Sequence, residues 1–361
     1  MSEMKKLRVG LVGLGGVAQA HMKAYAASER VDLCAGADID DQKTQAAAQR
    51  FGLKPYSNYV QMIEAEALDI VCVLTPPAMH RPVVEAAAHK GVNVLCEKPL
   101  APSIADAEAI RLAVRTSGIR FLFGASYRHL PAMLLARQMI AEGAVGNVRL
   151  CMEIAVGGAG EENARLLSES HYPAGGPGGT PMGLVDHGIH LIDALPWLTG
   201  SSIISAFGFG NVAGERLRPE FASFQLDNAA TGLLVYDEAS VSLPVPAEGV
   251  FSAGPGWNLL GPVEAGEFDA QPCAINIFGS AGALRLYPYA NILYHATTDG
   301  LRQIALPSLP KPNNFRAQID SFADTIQTGA PLAASVDDGV NSLAALMAIY
   351  KSDGQATVSL G

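Results

Sequence analysis

Cysteine is scarce in this chain. The five in 361 residues, Cys34, Cys72, Cys96, Cys151 and Cys273, are odd in number, far apart and never in a Cys-x-x-Cys pair. That argues against a disulfide framework and a zinc site, and for reduced thiols in a cytoplasmic setting. Positive charge is also short. Against 35 Asp and Glu stand only 25 Lys and Arg, a formal net charge of -10, which opposes a nucleic-acid partner or an anionic membrane surface. No apolar run reaches the roughly 20 residues that span a bilayer, and Met1-Ser2-Glu3-Met4-Lys5-Lys6 leads into a strand-like segment without an apolar signal region. No membrane span and no export are expected. Internal repeats and low-complexity linkers are missing too.

What is present is a globular composition, 49% hydrophobic and 17% charged, in a chain long enough for two domains with substantial cores. Leu7 to Val12 reads as a strand, a glycine turn follows, and about Val17 to Ser28 reads as a helix. The alternation continues through strand Val31 to Ala37, helix Gln42 to Phe51, strand Ile70 to Leu74, helix Arg81 to Lys90 and strand Asn93 to Cys96. Ser103 with Asp106 caps a helix to about Thr116, and Phe121 to Gly124 is another strand. This predicts a doubly wound parallel sheet over residues 1–125. Beyond it, Val148 to Val156, Ser205 to Phe209, Ala229 to Tyr236, Ala274 to Phe278 and Leu284 to Tyr287 are strand-like with fewer helices between them. Residues 126–361 are therefore expected to form an α+β domain with a largely antiparallel sheet. Two Gly- and Pro-rich stretches, 157–181 and 252–272, are longer than ordinary connections, a length that serves a binding site or belongs to a mobile loop.

The turn Gly13-Leu14-Gly15-Gly16-Val17-Ala18 has the spacing of a dinucleotide phosphate site. Gly13 permits the tight turn, Gly15 lets backbone approach a pyrophosphate, Ala18 lets helix and strand pack closely, and the helix N-terminus offers N–H groups to the phosphates. Asp38, at the end of the second strand, suits the two adenosine ribose hydroxyls, and Ile39 offers no cation for a 2′-phosphate, so NAD is expected over NADP. The bland alternative is that Asp38 only caps the next helix.

Two further places carry chemistry. Glu97-Lys98-Pro99 follows the strand Asn93 to Cys96 at its carboxyl end, where such sheets hold ligands, and the Lys98 ammonium can stabilise an alkoxide or polarise a carbonyl. A surface lysine before a proline is the competing reading. Gly183 to Asp193 reads as a helix with Asp186, His190 and Asp193 at i, i+4 and i+7, one polar face opposite an apolar one. His190 suits the proton acceptor in alcohol oxidation, with Asp186 orienting it or holding hydroxyls; a packing role is the alternative. His187 is expected to point elsewhere, His171 and Tyr172 to be loop decoration, and Cys96 to be a core thiol.

Together the glycine turn, Asp38, Thr75-Pro76-Pro77 with His80, Glu97-Lys98-Pro99, Arg128 and Asp186-x-x-x-His190 resemble the Gfo/Idh/MocA oxidoreductases, the glucose-fructose oxidoreductase and inositol dehydrogenase group. The resemblance runs over essentially the whole chain, including Asp337-Asp338-Gly339 and the helical stretch Ala344 to Tyr350. It implies a Rossmann domain followed by a domain with an open, mostly antiparallel sheet, often used for dimer or tetramer contacts. It implies Lys98, Asp186 and His190 as the catalytic trio. Thr75, Pro76 and His80 match positions of the nicotinamide-side loop, Glu97 matches one beside the ribose, and Arg128 and Asp193 match contacts to polyol or sugar hydroxyls. The expected reaction is hydride transfer between a nicotinamide and a secondary alcohol of a sugar, inositol or related polyol, with no metal. Redox-neutral conversion of a sugar or glycoside on tightly held NAD, and a noncatalytic dinucleotide sensor, are the alternatives. The tryptophan-bearing segment of many sugar-active relatives is replaced by Ala174-Gly175-Gly176-Pro177-Gly178-Gly179.

Overall fold

The structure is a computed structural model in which residues 5–158, 162, 175–180, 182–241, 274–306 and 314–360 are described. His171, Tyr172, Cys273 and most of the stretches 157–181 and 252–272 lie outside them. The chain divides into two compact units, Met1–His129 with Asn313–Leu343, and Leu130–Pro312 with Ala344–Gly361.

The first unit is built on six parallel strands, β1 (Leu7–Val12), β2 (Val31–Ala37), β3 (Lys54–Tyr56), β4 (Ile70–Val73), β5 (Asn93–Cys96) and β6 (Phe121–Phe123), in the order β3-β2-β1-β4-β5-β6. Strands β4 and β6 are buried throughout, as expected of parallel strands covered by helices on both faces. Those helices are α1 (Gly16–Ala26), α2 (Asp41–Phe51), α3 (Tyr59–Ala65), α4 (His80–His89) and α5 (Ile104–Ser117). Local chemistry sets their ends. Asn58 and Ser103 cap α3 and α5 with their side chains, and Gly52 and Gly118 close α2 and α5 in the left-handed conformation. The strand order reverses between β1 and β4, and the carboxyl ends of these two strands are where an open sheet of this kind receives a ligand.

Late in the chain α8 (Asn314–Thr328) packs against α1 and buries Ile319, Phe322 and Ala323. The N–H of Phe123 on β6 donates to the carbonyl of Ala334. A segment some 200 residues downstream of β6 thus completes the first unit.

The second unit holds a nine-stranded sheet made of β7 (Val148–Gly158), β8 (Ile203–Phe209), β9 (Glu220–Leu226), β10 (Thr231–Val241), β11 (Ile275–Gly279), β12 (Ala283–Tyr287), β13 (Ile292–Thr297), β14 (Gly300–Ile304) and β15 (Val358–Ser359). Its order is β14-β13-β12-β11-β7-β10-β9-β8-β15. Among the described residues, β7 and β10 are the one parallel pair in this sheet and its other pairings are antiparallel. Helices α6 (Pro131–Ala141) and α7 (Ile189–Thr199) pack together, and Gly232 on β10 lets Leu195 of α7 reach the sheet, since a Cβ there would lie 2.6 Å from its Cδ1. The last helix is α9 (Val336–Ser352). No described helix is long and apolar enough to cross a membrane.

Candidate active site

The glycine turn leaves β1 at the point where the strand order reverses. Gly13 adopts φ +88°, and a Cβ there would lie 2.8 Å from the carbonyl oxygen of Leu74, so only glycine fits. Gly15 and Gly16 face open space, with no heavy atom within 4 Å of where a Cβ would stand. Gly15 caps α1 without a side-chain hydrogen bond and no acid stands in the first turn, which leaves N–H groups and the positive helix end for an anion. Ala18 is fully buried, as close helix-to-strand packing needs, whereas Leu14 is buried under the turn and Val17 is exposed.

Asp38, expected at the adenosine ribose, braces the turn itself. Its carboxylate accepts the N–H of Leu14 at 2.8 Å and of Asp40 at 2.9 Å, which ties the end of β2 to the phosphate turn while the group stays half-exposed. It is Asp40, not Asp38, that caps α2. Ile39 is 96% exposed. At the end of β4 the Thr75 hydroxyl is buried with no partner among the described residues, and Pro76 is exposed. An open glycine turn, a free helix end, a half-exposed carboxylate on β2 and an unpartnered hydroxyl across the reversal are together what a dinucleotide requires, and these residues fit it.

The loop after β5 is braced on several sides. Glu97 N–H donates to Val73 O at 3.0 Å, and Gly124 approaches so closely that a Cβ on it would lie 2.8 Å from Glu97 Cα. The Glu97 side chain is buried, meets His21 Nε2 at 2.9 Å through one oxygen and accepts the Lys98 N–H at 3.1 Å through the other. Burial works against its charge, but the His21 hydrogen bond and the Lys98 charge outweigh it and hold the carboxyl below its usual range. His80, fully buried, spans from Thr75 O at 2.8 Å to Leu100 O at 3.1 Å and so links the loops that follow β4 and β5. Burial pushes its ring below the usual histidine range, although both carbonyls pull the other way. Lys98 itself is half-buried, and the Lys98–Pro99 peptide is cis.

In the second unit the Asp-His segment departs from the single α-helix expected. Leu184–Gly188 is a π-turn, with Gly188 N–H donating to Gly183 O, and only from Ile189 does α7 begin; it then runs through Pro196 to Thr199. The i, i+4 spacing of Asp186 and His190 therefore includes one inserted residue and does not stack them as an α-helix does. Long-range contacts cause this. Buried Glu220 accepts the Leu184 N–H at 2.8 Å and the Asn211 N–H at 2.6 Å, anchoring the start of the turn, and Gly188 lies so close to Tyr236 that a Cβ would meet its ring at 2.9 Å. Asp193 is 2% exposed rather than part of an open polar face, while Asp186 and His190 are half-buried.

His187, expected to point elsewhere, sits in this cluster. Its ring meets that of His190 edge-on at 6.1 Å and that of Tyr236 at 5.7 Å, and its Nε2 lies 3.4 Å from Glu153 Oε1. The Tyr236 hydroxyl donates to the other oxygen of Glu153 at 2.5 Å. Neither Glu153 nor Tyr236 was legible as a site residue, because both alternate inward on strands β7 and β10 whose parallel pairing has no local signature. Arg128, in the first unit, is 5% exposed; it donates to Asp338 at 3.0 Å and to Ala333 O at 2.9 Å, joining the turn Ser126–His129 to the returning segment. Among the described residues no group of three His, Cys, Asp or Glu is placed to hold a metal ion.

A parallel sheet that reverses over a glycine turn, followed by a unit with a broad mixed sheet, defines a two-unit protein of the Rossmann class. Residues 7–125 match the model of the oxidoreductase family with an NAD-binding Rossmann fold, and residues 133–285 match the GFO/IDH/MocA C-terminal domain. The chain belongs to the GFO/IDH/MocA oxidoreductase family. It is similar to D-apiose dehydrogenase of Paraburkholderia graminis, 32% identical over 40% of this chain and 38% of that protein. It is also similar to the rhizopine catabolism protein MocA of Rhizobium meliloti, 27% identical over 94% of this chain and 93% of the relative. The first of these matches spans well under half of the relative's length. The crystal structure of myo-inositol 2-dehydrogenase from Lactobacillus plantarum shares the fold, with a TM-score of 0.76 at 21% identity over 99% of this chain and 100% of that one.

Proposed function

We propose that this protein is an NAD-dependent dehydrogenase that moves a hydride between nicotinamide and a secondary alcohol or ketone of a sugar, inositol or related polyol. The observation that carries the reading is the braced Lys98 loop at the carboxyl end of β5, two strands from the glycine turn in the same sheet. A nicotinamide bound in that unit supplies the hydride acceptor for the carbinol carbon, or the donor in reverse. The turn residues Gly13 to Val17 hold the pyrophosphate by backbone N–H groups, Asp38 holds the adenosine ribose, and Thr75 and Pro76 border the nicotinamide end. His80 and Glu97 act from beneath by fixing the two loops. Exposed Ile39, which leaves a 2′-phosphate without a cation, favours NAD over NADP.

Lys98 donates to the reacting oxygen and stabilises its developing negative charge. The imidazole of His190 takes the hydroxyl proton as the hydride leaves, and Asp186 orients the imidazole or a neighbouring hydroxyl. Arg128 and Asp193 are too enclosed to lead in substrate recognition; their proposed part is to hold the shape of the groups that do. The sugar and polyol names of the relatives support the substrate class. A cytoplasmic homodimer or homotetramer belongs to the same proposal.

Purified protein is to be incubated with NAD+ and a panel of inositols, pentoses, hexoses and anhydrosugars, following NADH absorbance and product mass together. Net NADH with a product two mass units lighter is expected. Lys98→Met and His190→Asn are expected to lower kcat by about 10² to 10⁴-fold with NAD+ still bound. Product without NADH points to an internally closed redox cycle, and NAD+ binding without any product on the panel sinks the dehydrogenase reading.

A further inference from the structure

Beneath the dinucleotide turn, one line of hydrogen bonds ends on the backbone of Lys98. The thiol of Cys72 on β4 donates to the Tyr25 hydroxyl at 3.6 Å; that hydroxyl lies 2.7 Å from His21 Nδ1; His21 Nε2 lies 2.9 Å from Glu97 Oε1; and Glu97 Oε2 accepts the Lys98 N–H at 3.1 Å. An ionised carboxylate only accepts, so His21 Nε2 carries a proton and donates it to Glu97. The line ends on a negative charge.

All of it is out of water. His21 is 0% exposed, Tyr25 1% and Glu97 5%. Phe315 from α8 covers the imidazole, with ring centroids 4.2 Å apart. Joining α1 to the end of β5 needs nothing more than an apolar contact, and a buried carboxylate is costly to take out of water. A charge kept there at such cost, with one oxygen on the backbone of Lys98, serves geometry more than stability. We propose that His21 is a positioning residue for the reaction: through Glu97 it fixes the backbone of Lys98 and hence the point where the ammonium meets the reacting oxygen. Helix α1 carries the phosphate-facing turn at one end and His21 within it. The seat of the cofactor and the lysine loop are thereby joined through a single helix. This inference rests on the reading of Lys98 given above.

The test compares His21→Leu, which has no donor, with His21→Gln, whose amide N–H can replace the Nε2–H toward Glu97. Lysines are reductively dimethylated with ¹³C, and the Lys98 signal is identified by its loss in Lys98→Ala. His21→Leu is expected to shift or broaden that signal and to lower kcat roughly tenfold to a hundredfold, with NAD+ affinity by calorimetry unchanged within about threefold. His21→Gln is expected to restore the signal and most of kcat. A Lys98 signal that stays in place in His21→Leu, or that moves equally in both variants, makes His21 a packing residue and overturns the proposal. Should His21→Leu not fold, Tyr25→Phe and Glu97→Gln cut the same line on either side of His21, and Lys98 signals unmoved in both overturn it equally. If Lys98→Ala turns over normally, the reading of Lys98 fails instead, and the signal comparison still decides whether His21 positions it.

Discussion

Asp38→Asn preserves the size of the side chain and removes its charge, which makes it a sharp probe of the dinucleotide seat. In the folded protein each carboxylate oxygen accepts one backbone N–H, from Leu14 and from Asp40. An amide supplies one oxygen, so its NH2 must face one of those two donors and leave it unmet. The group is half-exposed, which keeps that loss near the low end, about 1 kcal/mol. One ribose hydroxyl also loses a charged acceptor, worth about 1.5 to 3 kcal/mol. The first loss falls on the free protein and the complex alike and cancels from binding, so NAD+ affinity is expected to drop by about 1.5 to 3 kcal/mol, roughly 10- to 150-fold. Calorimetric titration with NAD+ and with NADP+ measures it. Asp38→Ala combined with Ile39→Arg is expected to reverse the preference, because residue 39 is 96% exposed and a guanidinium there is free to meet a 2′-phosphate. Equal NAD+ affinity for wild type and Asp38→Asn, or a wild type that prefers NADP+, would refute the reasoning.

Two other outcomes follow from buried charges. Burial pushes the Glu220 carboxyl up to about 7 from 4.5 against the pull of its two N–H donors and Arg218. The folded state keeps a proton that the unfolded chain has already released, so this contribution to stability is complete below about pH 4.5 and is lost as pH rises through 7. Glu220→Gln stays neutral throughout. Its stability relative to wild type is expected to improve between pH 5 and pH 8 by at most about 3 kcal/mol; parallel urea-unfolding profiles would show that Glu220 does not titrate there. Arg128→Met leaves Asp338 without its cation and Ala333 O without its donor, a loss of about 2 kcal/mol after allowing for the partial exposure of Asp338. Burial opposes the Asp338 charge, but Arg128 and the Ser335 hydrogen bonds hold its carboxyl below the usual range. The loss is therefore expected at neutral pH and to shrink as acid protonates Asp338, and a loss independent of pH would assign Arg128 to packing alone.

Features that depend on near neighbours are readable from the residues alone. Alternating apolar segments and capping residues specified most strands and helices of the parallel sheet, though not β3 or α3, and glycine spacing specified the turn after β1, because a positive φ at Gly13 and an uncapped helix end are local properties. The place of Lys98 was legible for the same reason, lying directly after a strand whose carboxyl end faces the ligand side. Tertiary structure decided what depends on residues far apart in the chain. His21 and Glu97 are 76 residues apart, Arg128 and Asp338 210, and no periodicity couples them. Glu220 and Tyr236, both on strands of the second sheet, hold the two ends of the π-turn Leu184–Gly188, and Glu153 and Tyr236 draw His187 into the cluster with His190. Strands β3, β9, β13, β14 and β15 carry no comparable local signal, and neither does the return of residues 313–343 to the first unit. Short half-buried strands and a returning helix owe their places to the surfaces that receive them, and those surfaces exist only once the chain has folded.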